Sequence, residues 1–270
     1  MSLISFSSVG ELYTDMSRKQ EASAKLGYPV VLTADRTLMA GYDLLFDGML
    51  ASSQTTTIPP FLVSRLLMPK PRSQGRRSVV APLGLRRVEA ALLASAFTAD
   101  EVIAVDYDHL SRVIGPSTRI VAVSSGEPCG MGMNTSTMTG VAGGRIYPEE
   151  YFRRHIKLIQ HIRTSRNLEF KLILGGPGAW QLASNPEKAA KLGIDHVVLG
   201  YCEGNVDRLF SLICRGNDLP LILEGCPPSV AAIPSIKGAS SMGVVEISRG
   251  CGLGCSFCSI SSVPMMHLPI

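Results

Sequence analysis

The stretch Cys251-Gly-Leu-Gly-Cys255-Ser-Phe-Cys258 spaces three thiols by three residues and then by two. Three such thiolates can hold three irons of a 4Fe–4S cube, whose ligands are normally cysteine sulfurs. No fourth cysteine lies nearby, so one iron would stay open to a small-molecule ligand. Gly250, Gly252 and Gly254 let the backbone wrap tightly around an ion or cluster. Phe257 places an apolar residue just before the last cysteine. The other chemistries have less support. A zinc site usually shows four ligands in two separated pairs, and here only His267 follows, nine residues on. A disulfide framework belongs to short secreted chains, and no secretory signal opens this one. Chance clustering among seven cysteines is the remaining bland reading.

This pattern resembles the signature of the radical S-adenosylmethionine (SAM) superfamily. The resemblance implies that Cys251, Cys255 and Cys258 ligate a 4Fe–4S cluster. The open iron would chelate the amino and carboxylate groups of SAM, with the backbone around Phe257 near the adenine. One electron from the cluster would cleave SAM reductively, supplied by a donor such as flavodoxin or ferredoxin. Glu246-Ile-Ser-Arg-Gly250, running into the first cysteine, fits the family pattern.

Such a site needs a scaffold, and 270 residues suffice for one large or two modest domains. With 46% hydrophobic residues the chain can bury a core, which excludes wholesale disorder. No apolar run reaches the length of a membrane span, and the first residues lack the charged and apolar regions of a signal peptide. These features point to a cytoplasmic, reducing compartment, which suits thiolate ligands. The net charge of +4 is mild. Its arginines and lysines suit solvated helix faces and a linker, and no nucleic-acid site is read from them.

Four regions follow from the patterning. Residues 1–77 form an N-terminal mixed α/β segment. In it, Ser8-Val-Gly-Glu11 reads as a capping box opening a helix, and Pro29-Val-Val-Leu32 reads as a short strand. Thr33 to Arg36 is a turn, followed by a helix around Tyr42 to Leu50 and another opened by Pro59-Pro60. Residues 78–216 alternate strand and helix, with strands expected at Ser78–Pro82, Glu101–Val105, Arg119–Val123, Phe170–Leu174 and His196–Leu199. A glycine- and methionine-rich loop is expected from Ser124 to Gly144. Residues 217–242 are a proline-rich connector. Residues 243–270 begin the next domain, with Gly243–Ile247 as its first strand. The expected fold class is α/β: a Rossmann-like, doubly wound parallel sheet followed by the start of a βα barrel.

Ligands of doubly wound sheets bind outside the carboxyl ends of the strands. The loops there are Ser124-Ser-Gly-Glu, Gly175-Gly-Pro-Gly and Gly200-Tyr-Cys-Glu-Gly204. No G-x-G-x-x-G follows the expected first strand, so a dinucleotide site is not indicated. The order of segments resembles the cobalamin-binding domain that precedes the barrel of many radical SAM enzymes. The likeness implies that Ser124, Ser125, Gly175, Gly176, Gly200, Glu203 and Gly204 flank the nucleotide tail of cobalamin. The D-x-H-x-x-G motif that supplies a cobalt-ligating histidine in many cobalamin proteins is absent; His109 follows Asp108 directly. Gly200-Tyr-Cys-Glu also departs from the more usual Gly-Glu-Gly-Glu order. The bland reading of each glycine is an ordinary turn or helix cap.

Twelve residues follow Cys258, whereas a βα barrel needs on the order of two hundred. The expectation is therefore the N-terminal part of a cobalamin-dependent radical SAM enzyme, a methyltransferase in its most plausible form, acting on an unidentified small molecule or peptide. By this expectation the 270-residue chain alone is inactive. The alternative is a non-catalytic cobalamin-binding module with a vestigial iron–sulfur loop.

Overall fold

The computed structural model describes residues 26–256 and 265–268. The expected helix that opens at Ser8, together with Phe257 and Cys258, lies outside them. Among the described residues the main sheet has six strands: β1 (Val30–Ala34), β2 (Val102–Ala104), β3 (Ile120–Ser124), β4 (Lys171–Gly175), β5 (His196–Leu199) and β6 (Ile222–Glu224). All neighbours pair in parallel, in the order β2-β1-β3-β4-β5-β6. The winding reverses between β1 and β3, which makes that gap the topological switch point of the sheet.

The strands are short apolar runs because both faces are covered. Val31, Val121, Val123, Leu172, Leu174 and Val197 point to one side. There they meet Leu110 and Val113 of a short helix, and Phe152, Ile156, Ile159 and Ile162 of the long helix Tyr147–Ser165. The alternate residues Val30, Leu32, Ile120, Ile173, Val198 and Leu223 face Leu85 and Leu92 of helix Leu83–Leu93 and Phe210 and Ile213 of helix Val206–Cys214. The period of two along each strand thus produces three layers from one sheet.

Three departures from the sequence reading matter for the site. First, β1 comes from the N-terminal segment and lies inside the sheet, paired on both sides. Its five residues are all buried, as an interior strand requires. The expected strand Ser78–Pro82 is not in this sheet. Only Val80–Ala81 is extended, and it pairs with Ala239–Ser240. The guanidinium of Arg86 takes the carbonyls of Ser78 and Val79 at 2.8 and 2.9 Å, and Pro82 has no N–H to continue a ladder. Second, the connector contributes the edge strand β6. Third, the expected strand Gly243–Ile247 does not form. Val245 and Ile247 are exposed, and the short strand Ser248–Arg249 pairs instead with Met266–His267, antiparallel. The expected loop Ser124–Gly144 also holds a helix, Met133–Ala142, closed by Gly143 at φ +73°.

Helices Leu45–Ser53 and Pro60–Leu66 cover the first turns of helix Tyr147–Ser165, packing Ala51 and Val63, with Met68 just beyond the second helix, on Tyr147 and Tyr151. A helix that returns between parallel strands starts at their carboxyl edge. The N-terminal segment therefore roofs one end of that edge.

Candidate functional site

The carboxyl edge gathers most of the loops singled out by sequence. Register places Ala34, Ser124 and Gly175 side by side at the ends of β1, β3 and β4. The loops after β3 and β4 interlock there. The Ser125 N–H donates to the Gly175 carbonyl at 3.1 Å, and the Gly178 N–H donates to the Ser125 carbonyl at 2.9 Å. Gly176 has φ +90°, and a Cβ on it would meet Ser124 Oγ at 2.7 Å and the Ser125 backbone N at 2.9 Å. Its glycine is thus required by the contact between the two loops. Gly175 and Gly200 are different: a Cβ on either would meet nothing within 4 Å. Ser125 Oγ is buried with no hydrogen-bond partner, and a buried hydroxyl without one calls for an explanation.

The loop after β5 serves other contacts. The Gly204 N–H donates to the Cys226 carbonyl at 2.8 Å, and a Cβ there would sit 2.7 Å from that oxygen. Glu203 is turned to Arg249: its Oε1 accepts from Nη2 at 2.5 Å. Arg249 also donates from Nε and Nη2 to the two oxygens of Glu246, at 2.7 and 3.0 Å. Its guanidinium stacks 4.5 Å from the centre of the Tyr201 ring. Arg87 Nε stands 3.2 Å from Glu246 and extends the network to helix Leu83–Leu93. The Arg249 side chain is only 1% exposed. Burial acts to lower its pKa, but the bonds to Glu246 and Glu203 outweigh burial and the net shift is upward. Arg249 is therefore a permanent cation that ties the chain entering the cysteine loop to the end of β5.

Two residues on, Cys251 is exposed and Cys255 half-buried. Gly250, Gly252 and Gly254 have φ of +66°, +69° and +65°, while Cys251 and Leu253 between them are not in the left-handed region. Left-handed residues at alternate positions are one requirement of a nest, the turn of successive N–H groups that holds phosphates and iron–sulfur centres. No group of three or more His, Cys, Asp or Glu side chains arranged to hold a metal occurs among the described residues. Cys258, the third member of the motif, lies outside them. Outside the motif Cys226 is exposed, whereas burial pushes the Cys202 thiol up to about 12, with Glu203 adding to the shift. Burial likewise raises Cys129 and Cys214.

The residue set fits a ligand on the sheet edge in part. Ser125, Gly175 and Gly200 present open space or an unpartnered polar atom. Gly176, Gly204 and Glu203 are occupied by contacts within the protein.

Sequence reasoning missed a second polar group at the end of β1. Asp35 is buried and caps the turn Arg36–Met39, its Oδ1 accepting from the Thr37 N–H at 2.9 Å, while Oδ2 has no partner. Burial raises its carboxyl to about 6, against the opposing bonds from Thr37. His155 is buried beneath the Tyr107 ring, 5.7 Å between centroids, with Nε2 3.1 Å from Thr33 Oγ1. Burial pushes its pKa down to about 3. The available signal was the polar run Thr33-Ala-Asp-Arg36 directly after an apolar strand. No family model, no curated protein and no solved structure matches the chain.

Proposed function

We propose that the chain carries the cluster-binding loop and the cobalamin-binding sheet of a radical SAM enzyme that transfers a methyl group. The observation that carries the proposal is the cysteine loop: three thiols at the required spacing, with left-handed glycines alternating through its first half. The cluster would supply the electron that cleaves SAM, and cobalamin would supply the methyl group for an unreactive carbon or phosphorus of the substrate.

Each residue then has a task. Cys251, Cys255 and Cys258 would hold three irons, leaving the fourth to SAM, with Phe257 beside the adenine. The N–H groups of such a nest would face the anionic cluster and stabilise its charge. Arg249 would fix where the loop leaves the sheet. Ser125, with its free hydroxyl, and Gly175 and Gly200, with open space before them, would receive the tail of cobalamin. A reducing, cytoplasmic setting with a flavodoxin or ferredoxin as electron donor suits exposed cysteines.

Anaerobic reconstitution with iron and sulfide tests the cluster. The native chain should take up both with the brown absorbance of a 4Fe–4S centre, and the triple Cys251→Ala, Cys255→Ala, Cys258→Ala variant should not. Equal iron and equal absorbance in the variant would sink the cluster assignment. Added hydroxocobalamin should change its visible spectrum on binding, and Ser125→Phe should abolish that change; a spectrum that stays that of free hydroxocobalamin with the native chain would remove the cobalamin half of the proposal.

A further inference from the structure

A cavity of about 490 Å³ opens above the ends of β1 and β2, beside the turn that Asp35 caps. Arg36 and Tyr107 line it from the turns after those two strands. Tyr151 and Arg154 line it from the first half of helix Tyr147–Ser165, and Phe61 and Ser64 from helix Pro60–Leu66. Its volume is that of a site for one small organic molecule.

The lining has two chemical halves. Phe61, Tyr107 and Tyr151 offer aromatic walls. Arg36 and Arg154 offer guanidinium groups, which match carboxylate and phosphate oxygens through paired N–H donors. Arg36 Nε is buried and makes no hydrogen bond. Arg154 shares Glu150 with Arg145, at 2.9 and 3.1 Å, so that trio keeps one net positive charge. Next to the cavity the Tyr42 hydroxyl, within the electrostatic reach of Asp35, Arg36 and Tyr151, is also buried without a partner. Burial, with Asp35 adding to it, raises its pKa, so it stays a neutral O–H donor. Among the carboxylates near the wall, Asp35 has Oδ1 in the Thr37 cap and Glu150 is taken up by Arg145 and Arg154.

We infer that this cavity binds a planar aromatic anion, its ring against Phe61, Tyr107 and Tyr151 and its phosphate or carboxylate on Arg36 and Arg154. The site is independent of the cysteine loop, and its failure would leave the proposed function untouched.

Isothermal titration calorimetry of the 270-residue chain tests the inference, with adenosine monophosphate as the phosphate probe and indole-3-acetate as the carboxylate probe. Adenosine and 3-methylindole are the neutral controls. At least one anion should bind, and at least tenfold more tightly than its neutral control; which anion binds decides between phosphate and carboxylate. Arg36→Ala and the more exposed Arg154→Ala should each weaken that binding by tenfold or more. Arg154→Ala keeps the test valid if Arg36→Ala folds poorly. Equal binding of charged and neutral probes, no binding of either anion, or full affinity in Arg154→Ala would overturn the inference.

Discussion

Replacing Arg249 with alanine should release the cysteine loop from the sheet while leaving the sheet folded. The native side chain satisfies Glu203, whose side chain is 5% exposed, and Glu246, which keeps Arg87 as a second partner. Removing one partner of a buried pair costs about 3–5 kcal/mol, because the other charge is left buried. Some of that returns, since Arg249 Nη1 is itself buried without a partner, a state that costs about 1–3 kcal/mol. At the middle of the two ranges, about 4 less about 2, the net loss is about 2 kcal/mol. The affected contacts join residues 246–249 to the loop after β5, so the loss falls on local docking, which opens below the global unfolding free energy. By the conversion of 1.36 kcal/mol per decade, the undocked population should rise about 30-fold. Hydrogen exchange of residues 244–256 at constant pH reads that population, and the rate of iron loss after reconstitution reads its effect on the loop. Arg249→Lys should fall between, since it keeps the charge but loses the forked geometry. Glu203→Gln in the Arg249→Ala background should recover part of the loss by removing the stranded charge. Unchanged exchange over 244–256 in Arg249→Ala would refute the reasoning, whatever happens to global stability.

Three further outcomes are expected. Burial holds the folded pKa of Asp35 at about 6, above the ordinary value of 3.8; the folded state therefore binds the extra proton between those values, and stability falls as pH rises through the window. Asp35→Asn keeps the cap and removes the buried charge, so urea titrations should show it stabilised by up to about 3 kcal/mol at pH 7.5 and nearly unchanged at pH 3; equal effects at both values would contradict the assignment. Iodoacetamide at pH 8 should label Cys251 of the cluster-free chain far faster than Cys202, whose thiol is pushed up to about 12 by burial, and peptide mass spectrometry giving comparable rates would show Cys202 to be accessible thiolate. Gly176→Ala should destabilise by about 2 kcal/mol or more, because φ +90° is strained for alanine and the new methyl would press on the Ser125 backbone; a chemical denaturation midpoint equal to that of the native chain would mean the two loops are not interlocked.

The parts of the fold legible in sequence were those set by local signals. β3, β4 and β5 are apolar runs ending at Ser124, Gly175 and Leu199, and their loops carry glycines. The order of strands was not legible. Val30–Ala34 reads as a strand, but nothing local places it between Val102–Ala104 and Ile120–Ser124. The run Ser78–Pro82 was misleading for a long-range reason, since its carbonyls are taken by the side chain of Arg86. The same limit governs the site. The cysteine spacing and its glycines are written in consecutive residues. The bond from Arg249 to Glu203 joins residues 46 positions apart and has no local signature. The polar run Thr33-Ala-Asp-Arg36 marks the end of β1, but its link to His155 exists only once β1 and helix Tyr147–Ser165 are packed.

The position of Glu203 constrains how the sheet edge and the cysteine loop can influence each other. Glu203 belongs to the loop after β5 and is committed to Arg249, two residues before Cys251. A ligand that meets the edge through Ser125, Gly175 and Gly200 leaves this ion pair intact, so its binding and the docking of the cysteine loop would be energetically independent. A ligand that takes Glu203 Oε1 must displace its bond to Arg249 and leave that buried guanidinium with Glu246 alone. By reciprocity of linkage, a docked loop would then weaken that ligand by the same factor by which the ligand loosens the loop. The open space before Gly200 and the free hydroxyl of Ser125 favour the first arrangement. Under it the edge is divided between two duties: β3, β4 and the start of the β5 loop are free to receive a ligand, while Tyr201, Glu203 and Gly204 hold the chain that follows.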